Sequence, residues 1–563
     1  MKKFSIFLLI AALAAVSAVA LAACGGGGST SSPATTSEPE GESPPATEGE
    51  GKEGGTLKGA YTSFPDYMDP QISYTAEGWT AMRPVYIPLL TYKPAAEAEG
   101  SEIIPGLAKE LPKVTNGGKT YTLFLRPGLK YSNGEPIKAG DFKYAVERCF
   151  LTNSGGSPFY TDIVGAEQFA KTKKGGISGI KVNEKTGEIV IHLEKPRGTF
   201  NNELALMFVA PVPQSTPDED QSASPPPASG PYMITKSQPG RGWDYERNPY
   251  WAKDNGKEIE IPAGHVDKIE IEIQRNQSTQ VNDIENGKLN WIFDPPPTDR
   301  YQEVKEKFEG TQFRPEPTIS TYYFWMNQTE EPFNNKKVRE AVNYAVDPAA
   351  LERIYTGQIV GTQQILPPGM PGYKKYELYP HNVVKAKELV AEAGLKDKEV
   401  TVWTDSESPN NDAGTYYQGV LNEIGLKAEL KILNPDNYFT VIGNTSTPNL
   451  DTGFADWFED YPHPNDFMFL LNGNNIQSTN NENFGQTNVP ALNEKVEKLS
   501  EELLGPQQEK EYAELDESFM KEAAWAPYGT RTLSLFVSEN INLETAIWNP
   551  TFETELTSLE FKE

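Results

Sequence analysis

Cysteine is almost missing from these 563 residues: there are two, Cys24 and Cys149. A disulfide framework is therefore excluded, as is any C-x-x-C redox or zinc motif. Histidine is nearly as scarce. The four, His192, His265, His381 and His463, are scattered, so no H-E-x-x-H pair exists. There is no G-x-S-x-G nucleophile elbow. Gly118-Lys119-Thr120 ends like a phosphate loop, but Lys113 stands where such a loop needs its first glycine, and strand-like sequence follows instead of a helix. Positive charge is outnumbered, 51 Lys and Arg against 79 Asp and Glu, for a net charge of −28. With no basic stretch, nucleic acid is excluded as a partner. After the first two dozen residues no apolar run is long enough to cross a bilayer. No cofactor or metal site follows from these residues. His463, between Pro462 and Pro464, reads as a loop histidine rather than a metal ligand.

What is present begins at the N-terminus. Lys2 and Lys3 precede an apolar stretch, residues 4–20, broken only by Ser5 and Ser17, and Leu21-Ala22-Ala23-Cys24 follows. This is the layout of a secretory signal. A retained anchor helix and an unlipidated signal are the alternatives. The cysteine directly after Leu-Ala-Ala resembles a bacterial lipobox. That resemblance implies cleavage before Cys24, a diacylglycerol on its thiol and an acylated amine. Each buried methylene of such chains contributes about 0.8 kcal/mol to membrane attachment. Residues 1–23 are thus expected as signal peptide and 24–55 as a lipidated acidic tether. Residues 25–55 hold no large apolar side chain, too little to offset ordering entropy; their flexible reach is roughly 30 Å. Cys149 is left without a partner. It follows Ala145 and Val146 at helical spacing and is expected to be a small buried hydrophobe.

The remaining length calls for more than one lobe. Tyr121, Leu123 and Leu125 alternate along residues 120–126 as a half-buried strand, ended by Pro127-Gly128. Asn133-Gly134 marks a turn. Asp141 is expected to N-cap a helix whose buried face is Phe142, Ala145, Val146 and Cys149. Residues 266–273 read as a strand through Ile269, Ile271 and Ile273. Val338, Ala341, Val342 and Ala345 form a helical face that Pro348 should stop. Residues 400–404, 413–424 and 428–433 resemble a βαβ unit. Late helices are expected near 491–504 and 509–523. The class is α/β.

Several blocks carry a resemblance to a known family. Residues 106–150 read GLAKELPKVTNGGKTYTLFLRPGLKYSNGEPIKAGDFKYAVERCF. They are followed by Ser229-Gly230-Pro231-Tyr232, Arg247-Asn248-Pro249-Tyr250-Trp251, the stretch 332–347 and Trp457-Phe458-Glu459-Asp460-Tyr461-Pro462-His463-Pro464. In this order they resemble the solute-binding lipoproteins of peptide-class ABC importers, the oligopeptide/dipeptide/nickel-binding family. Ser132-Asn133-Gly134 departs mildly from the family's usual His-Asp-Gly. Most matched residues also read as turns and core faces, so they are architectural rather than ligand contacts.

The resemblance implies a two-lobed, periplasmic-binding-protein-like fold of type II with an extra inserted subdomain and a ligand cleft between the lobes. Carried over, lobe one is 56–98, 205–315 and 529–563, the insertion is 99–204, and lobe two is 316–528. It implies a non-enzymatic, monomeric protein outside the cytoplasmic membrane. Its partners are a small solute or short peptide, the membrane through its lipid, and the permease and ATPase subunits of an importer. Asp460 falls on the aspartate that holds a peptide's ammonium in peptide-binding members, with Trp457, Phe458 and Tyr461 beside the ligand. A non-peptide solute, a signalling role and a lipid-anchored hydrolase remain as alternatives.

Overall fold

The structure, a computed structural model, describes residues 52–563 except 252–254, 257 and 407. The expected signal, Cys24 and the tether up to residue 51 lie outside the described residues.

A twelve-stranded mixed sheet organises the chain. Its path runs Lys427–Leu433, Glu399–Asp405, Thr452–Phe458, Ser320–Met326, Trp525–Val537, Trp291–Ile292, Thr56–Tyr61, Lys268–Ile273, Gly242–Arg247 and Tyr232–Gln238. Trp525–Val537 is the pivot. Its first part pairs antiparallel with Ser320–Met326, and its last part with Phe313–Pro317 and Trp291–Ile292. All 13 of its residues are buried, so one strand is shared by both halves. The molecule is two-lobed, with a cleft between the lobes. One apolar core draws on residues from Leu57 to Phe293 and again from Leu533 to Leu559. Another is built wholly from Ile319 to Tyr528. Stacked rings knit the second, with Phe324 on Tyr417 at 3.9 Å between centroids; such pairs add roughly 0.5–1.5 kcal/mol beyond their burial.

Local patterning explains the elements. Glu399–Asp405, Asn410–Glu423 and Lys427–Leu433 form the expected βαβ unit, with Val400 opposite Ala428 in parallel register. Lys113–Thr115, Thr120–Phe124, Glu188–His192 and Ile180–Asn183 make a separate four-stranded sheet. On it packs the helix Ala139–Leu151, with Phe142, Ala145, Val146 and Cys149 fully buried. The Asn133-Gly134 turn needs its glycine: φ is +87°, and a Cβ there would sit 2.7 Å from the Tyr250 hydroxyl.

Two expectations are corrected. Asp141 is not an N-cap. The helix begins two residues earlier, and Asp141 reaches back from its third position to accept the Lys138 N–H at 2.9 Å, the reciprocal half of a capping box. Pro348 does not itself stop the preceding helix. Lys336–Ala345 ends before it, and Pro348 opens the next helix, Pro348–Ile354, where its missing N–H is no loss. Asp347 caps that helix by accepting the Ala349 N–H at 3.0 Å.

Candidate ligand-binding cleft

The loop singled out in the sequence leaves the strand Thr452–Phe458. This strand pairs along its length with Ser320–Met326. On its other side only Thr452 and Gly453 pair, with Val402 and Trp403. Residues 455–458 therefore keep a free backbone edge among the described residues, and such an edge can take an extended chain as an added strand.

Asp466 holds the loop beyond it. Its Oδ2 accepts the Asp460 N–H at 2.9 Å and the Trp457 Nε1–H at 3.2 Å. Asp466 is 1% exposed. Burial first, and the Asp460 charge next, hold its carboxyl well above the usual range. Asp460 itself faces the opposite lobe, where the Tyr74 hydroxyl donates to its Oδ1 at 2.7 Å. A second contact joins the inserted segment to the far lobe, the Gly198 N–H to the Ser500 carbonyl at 2.7 Å.

The four predicted side chains do not form one cluster. Phe458 is 40% exposed, its ring centroid 6.0 Å from that of Tyr322. Trp457 turns against Phe469, with centroids 5.6 Å apart. Tyr461 is buried in the opposite lobe's core, edge-on to Phe159 at 6.1 Å. Phe458 is thus exposed and Asp460 turned to the opposite lobe, while the side chains of Trp457 and Tyr461 pack within the protein and anchor the loop. His463 is fully buried, its Nδ1 accepting the Asn465 N–H at 3.1 Å. Burial drops its pKa to about 3, so it is neutral.

Sequence reasoning missed the acids that face this loop from the other lobe. Glu77 lies in the first turn of the helix Ala76–Met82, Asp294 follows the strand Trp291–Ile292, and Glu553 lies near the C-terminus. Burial lifts Glu77 to about 7, with Asp294 adding to it. Burial also raises Glu553, which the charges of Glu77 and Asp294 push further. From the loop side, Glu459 is raised by burial and then by Asp466 and Glu553. No spacing in the sequence announces this convergence, because the acids come from three remote segments. Asp294 is buried and Glu77, Glu459 and Glu553 are half-buried, so the loop faces a group of carboxyls whose protonated forms burial favours.

Residues 102–479 match the bacterial extracellular solute-binding proteins, family 5 Middle. The chain belongs to that family. It is 25% identical over 395 residues to the oligopeptide-binding protein OppA of Bacillus subtilis, covering 66% of this chain and 70% of that one. It is 24% identical over 433 residues to the periplasmic oligopeptide-binding protein OppA of Salmonella typhimurium, covering 73% and 76%. Its fold matches that of the clavulanic acid biosynthesis oligopeptide binding protein 2, with a TM-score of 0.81 and 22% identity over 92% of this chain and 97% of that one. The Helicobacter pylori periplasmic binding protein DppA, in complex with the peptide STSA, superposes with a TM-score of 0.67 and 19% identity over 91% and 99%. The relatives are solute-binding proteins. No helix among the described residues is long and apolar enough to cross a membrane.

Proposed function

We propose that this chain is a lipid-anchored, extracytoplasmic receptor that captures short peptides and delivers them to the permease and ATPase subunits of an ABC importer. The observation that carries the reading is Asp460. It stands at the cleft opposite Tyr74, next to a strand edge that can bond a peptide backbone. A charge-assisted bond from a peptide ammonium to its carboxylate is among the stronger polar contacts, and residues 455–458 would supply main-chain partners. Ligand touching both lobes favours the closed state by its differential affinity. The oligopeptide-binding relatives agree with this ligand class. The core from Ile319 to Tyr528 supports a lobe two of 316–528, while the other core runs through both the proposed lobe one of 56–98, 205–315 and 529–563 and the proposed insertion of 99–204.

The test is calorimetry with free-amine and N-acetylated forms of a randomised short-peptide pool. Asp460→Ala should weaken free-amine binding about tenfold or more, at least about 1.4 kcal/mol, and leave the acetylated forms unaffected. Unchanged affinity with an intact fold refutes the assignment. The anchor is tested separately: Cys24→Ala should abolish metabolic labelling by a palmitate analogue, and persistent labelling overturns lipidation.

A further inference from the structure

The chain beyond Asp460 leads to a second cavity. Tyr461 is buried against Phe159, and Pro462 then lines a space of about 440 Å³, within the roughly 300–1,000 Å³ of small-molecule sites. Residues 98–103 and 198–202 contribute one wall, and Pro371, Pro462, Leu503, Leu504 and Glu509 the other. Ile103 packs on the first apolar core and Leu504 on the second, so the two walls belong to different lobes. None of Tyr74, Glu77, Asp294, Glu553 and residues 455–460 lines this cavity, which separates it from the cleft around Asp460.

Backbone holds the walls together. The Gly198 N–H donates to the Ser500 carbonyl at 2.7 Å, at the end of the helix Pro490–Ser500, where the last carbonyls have no partner within the helix. A Cβ on residue 198 would run into the Glu502 carbonyl, so the segments can approach this closely only with glycine there. The preceding residue fixes the loop: Arg197 meets Asp162 at 2.8 Å and Glu203 at 2.6 Å.

The cavity contains hydrogen-bonding capacity that the protein leaves unused. Ser101 is 8% exposed, and its hydroxyl has no partner among the described residues. The buried Oδ1 of Asn201 has none either. Such groups are uncommon in folded proteins, and each calls for an explanation. Glu102 and Glu509 also line the cavity, whereas no Lys, Arg or His does. Glu102 is partly balanced by Lys93, 3.9 Å away. Glu509 has no ion pair among the described residues. Ala98, Ile103, Leu503 and Leu504 make the lining otherwise aliphatic. Unused acceptors beside carboxylates disfavour an anion and favour a hydrogen-bond-donating cation, and the aliphatic surface suits an apolar stem.

We propose that this cavity is a second ligand site, which takes an ammonium group on an aliphatic stem and, by touching both lobes, favours their closed arrangement. The ammonium donates to Asn201 Oδ1 and the Ser101 hydroxyl within reach of the Glu509 charge, and the stem lies on Leu503 and Leu504. A ligand held only where the two walls meet shifts the two-state balance toward closure by its differential affinity. It and the solute in the main cleft therefore strengthen each other's binding. The site depends on the two-lobed fold and not on the peptide reading of the Asp460 cleft. A free amine and a lysine side chain offer the same chemistry.

The experiment is calorimetry on the purified protein with 1,4-diaminobutane, 1,4-butanediol and Nα-acetyl-lysine amide, in about 0.15 M salt to screen diffuse attraction to an acidic surface. The diamine should bind at one site per chain, about tenfold or more tighter than the diol. Asn201→Ala and Glu509→Gln should each weaken it about fivefold or more, while keeping the amine-free Tm, because neither group has a protein partner to lose. Gly198→Ala should weaken it as much without removing a polar group, because the walls can no longer meet. Asp460→Ala should leave diamine affinity within about twofold. Tight binding of the lysine amide would identify a peptide side chain as the natural source, and binding of the diamine alone a free amine. Equal binding of diamine and diol, or full affinity in both Asn201→Ala and Glu509→Gln, overturns the proposal. So does loss of diamine binding in Asp460→Ala, which would put the amine in the main cleft.

Discussion

Tyr74 and Asp460 meet across the cleft, 386 positions apart in the chain, with the Tyr74 hydroxyl 2.7 Å from Asp460 Oδ1. The bond joins the two lobes and, on the proposed reading, occupies an oxygen that a peptide ammonium would use. Burial, with the Asp460 charge, raises the Tyr74 hydroxyl well above its usual pKa, so it remains a donor.

Tyr74→Phe should therefore open the ligand-free protein. A hydrogen bond to a charged group contributes about 1.5–3 kcal/mol, enough to shift a balanced two-state equilibrium by an order of magnitude. Small-angle scattering should show a larger radius of gyration for the variant without ligand and matching radii when both are saturated with peptide. Identical ligand-free radii would mean that the contact does not hold the lobes.

Stability should fall as pH rises. Asp516 is 1% exposed and accepts the Ile365 N–H at 3.1 Å and the Tyr376 hydroxyl at 2.8 Å. Burial lifts its carboxyl to about 7, against the opposing pull of these bonds. Glu77 and Asp456 are likewise lifted to about 7. A carboxyl whose folded pKa exceeds its unfolded one binds its proton more tightly when folded. Its contribution is complete below about pH 4 and is lost as pH climbs through about 7. The Tm should be higher at pH 5 than at pH 8, and Asp516→Asn should lose less over that interval, by on the order of 1 kcal/mol or more. A variant with the wild-type slope would show that Asp516 is not the group responsible.

Much of the frame was legible because it is local. Alternation at Tyr121 and Leu123 and the helical spacing of Val338, Ala341 and Val342 each report one buried face. Where a helix starts or stops depends on finer competition. Asp141 has the right chemistry for a cap but acts from inside the helix, and Pro348 belongs to the helix after it. The site was legible only on its lobe-two side. Asp460 lies in a recognisable block, but its partner Tyr74 and the acids Glu77, Asp294 and Glu553 are brought to it by sheet order.

Arg148 tests how the N-terminal segment is tied to the helix Ala139–Leu151. Its guanidinium holds Asp69, which also accepts the Gln221 N–H at 3.0 Å. Both side chains are fully buried. Arg148→Met strands a buried carboxylate and should cost about 3–5 kcal/mol in urea unfolding. Asp69→Asn in the same chain should restore a large part of that loss, because the surviving group is neutral. A double variant no more stable than the single one would indicate that packing of the arginine stem, not charge, dominates.

Cys149 closes the argument about thiols. Its Sγ is fully buried and lies 3.2 Å from the Phe208 carbonyl and 3.3 Å from the Ala145 carbonyl, a geometry for donating its S–H. Burial raises its pKa far above that of a free thiol, and the thiolate is the form that alkylates. A chain starting at residue 52 carries this cysteine alone. Iodoacetamide at pH 8 should leave it unmodified in the native protein and alkylate it fully in 6 M guanidinium, read as one adduct by intact-mass spectrometry. Rapid native labelling would place Cys149 at a surface and contradict the packing of Ala139–Leu151 against the residues around Phe208. Protection would leave Cys24 as the sole reactive thiol of the full chain, so labelling before and after export would report directly on whether that thiol has been consumed by lipid.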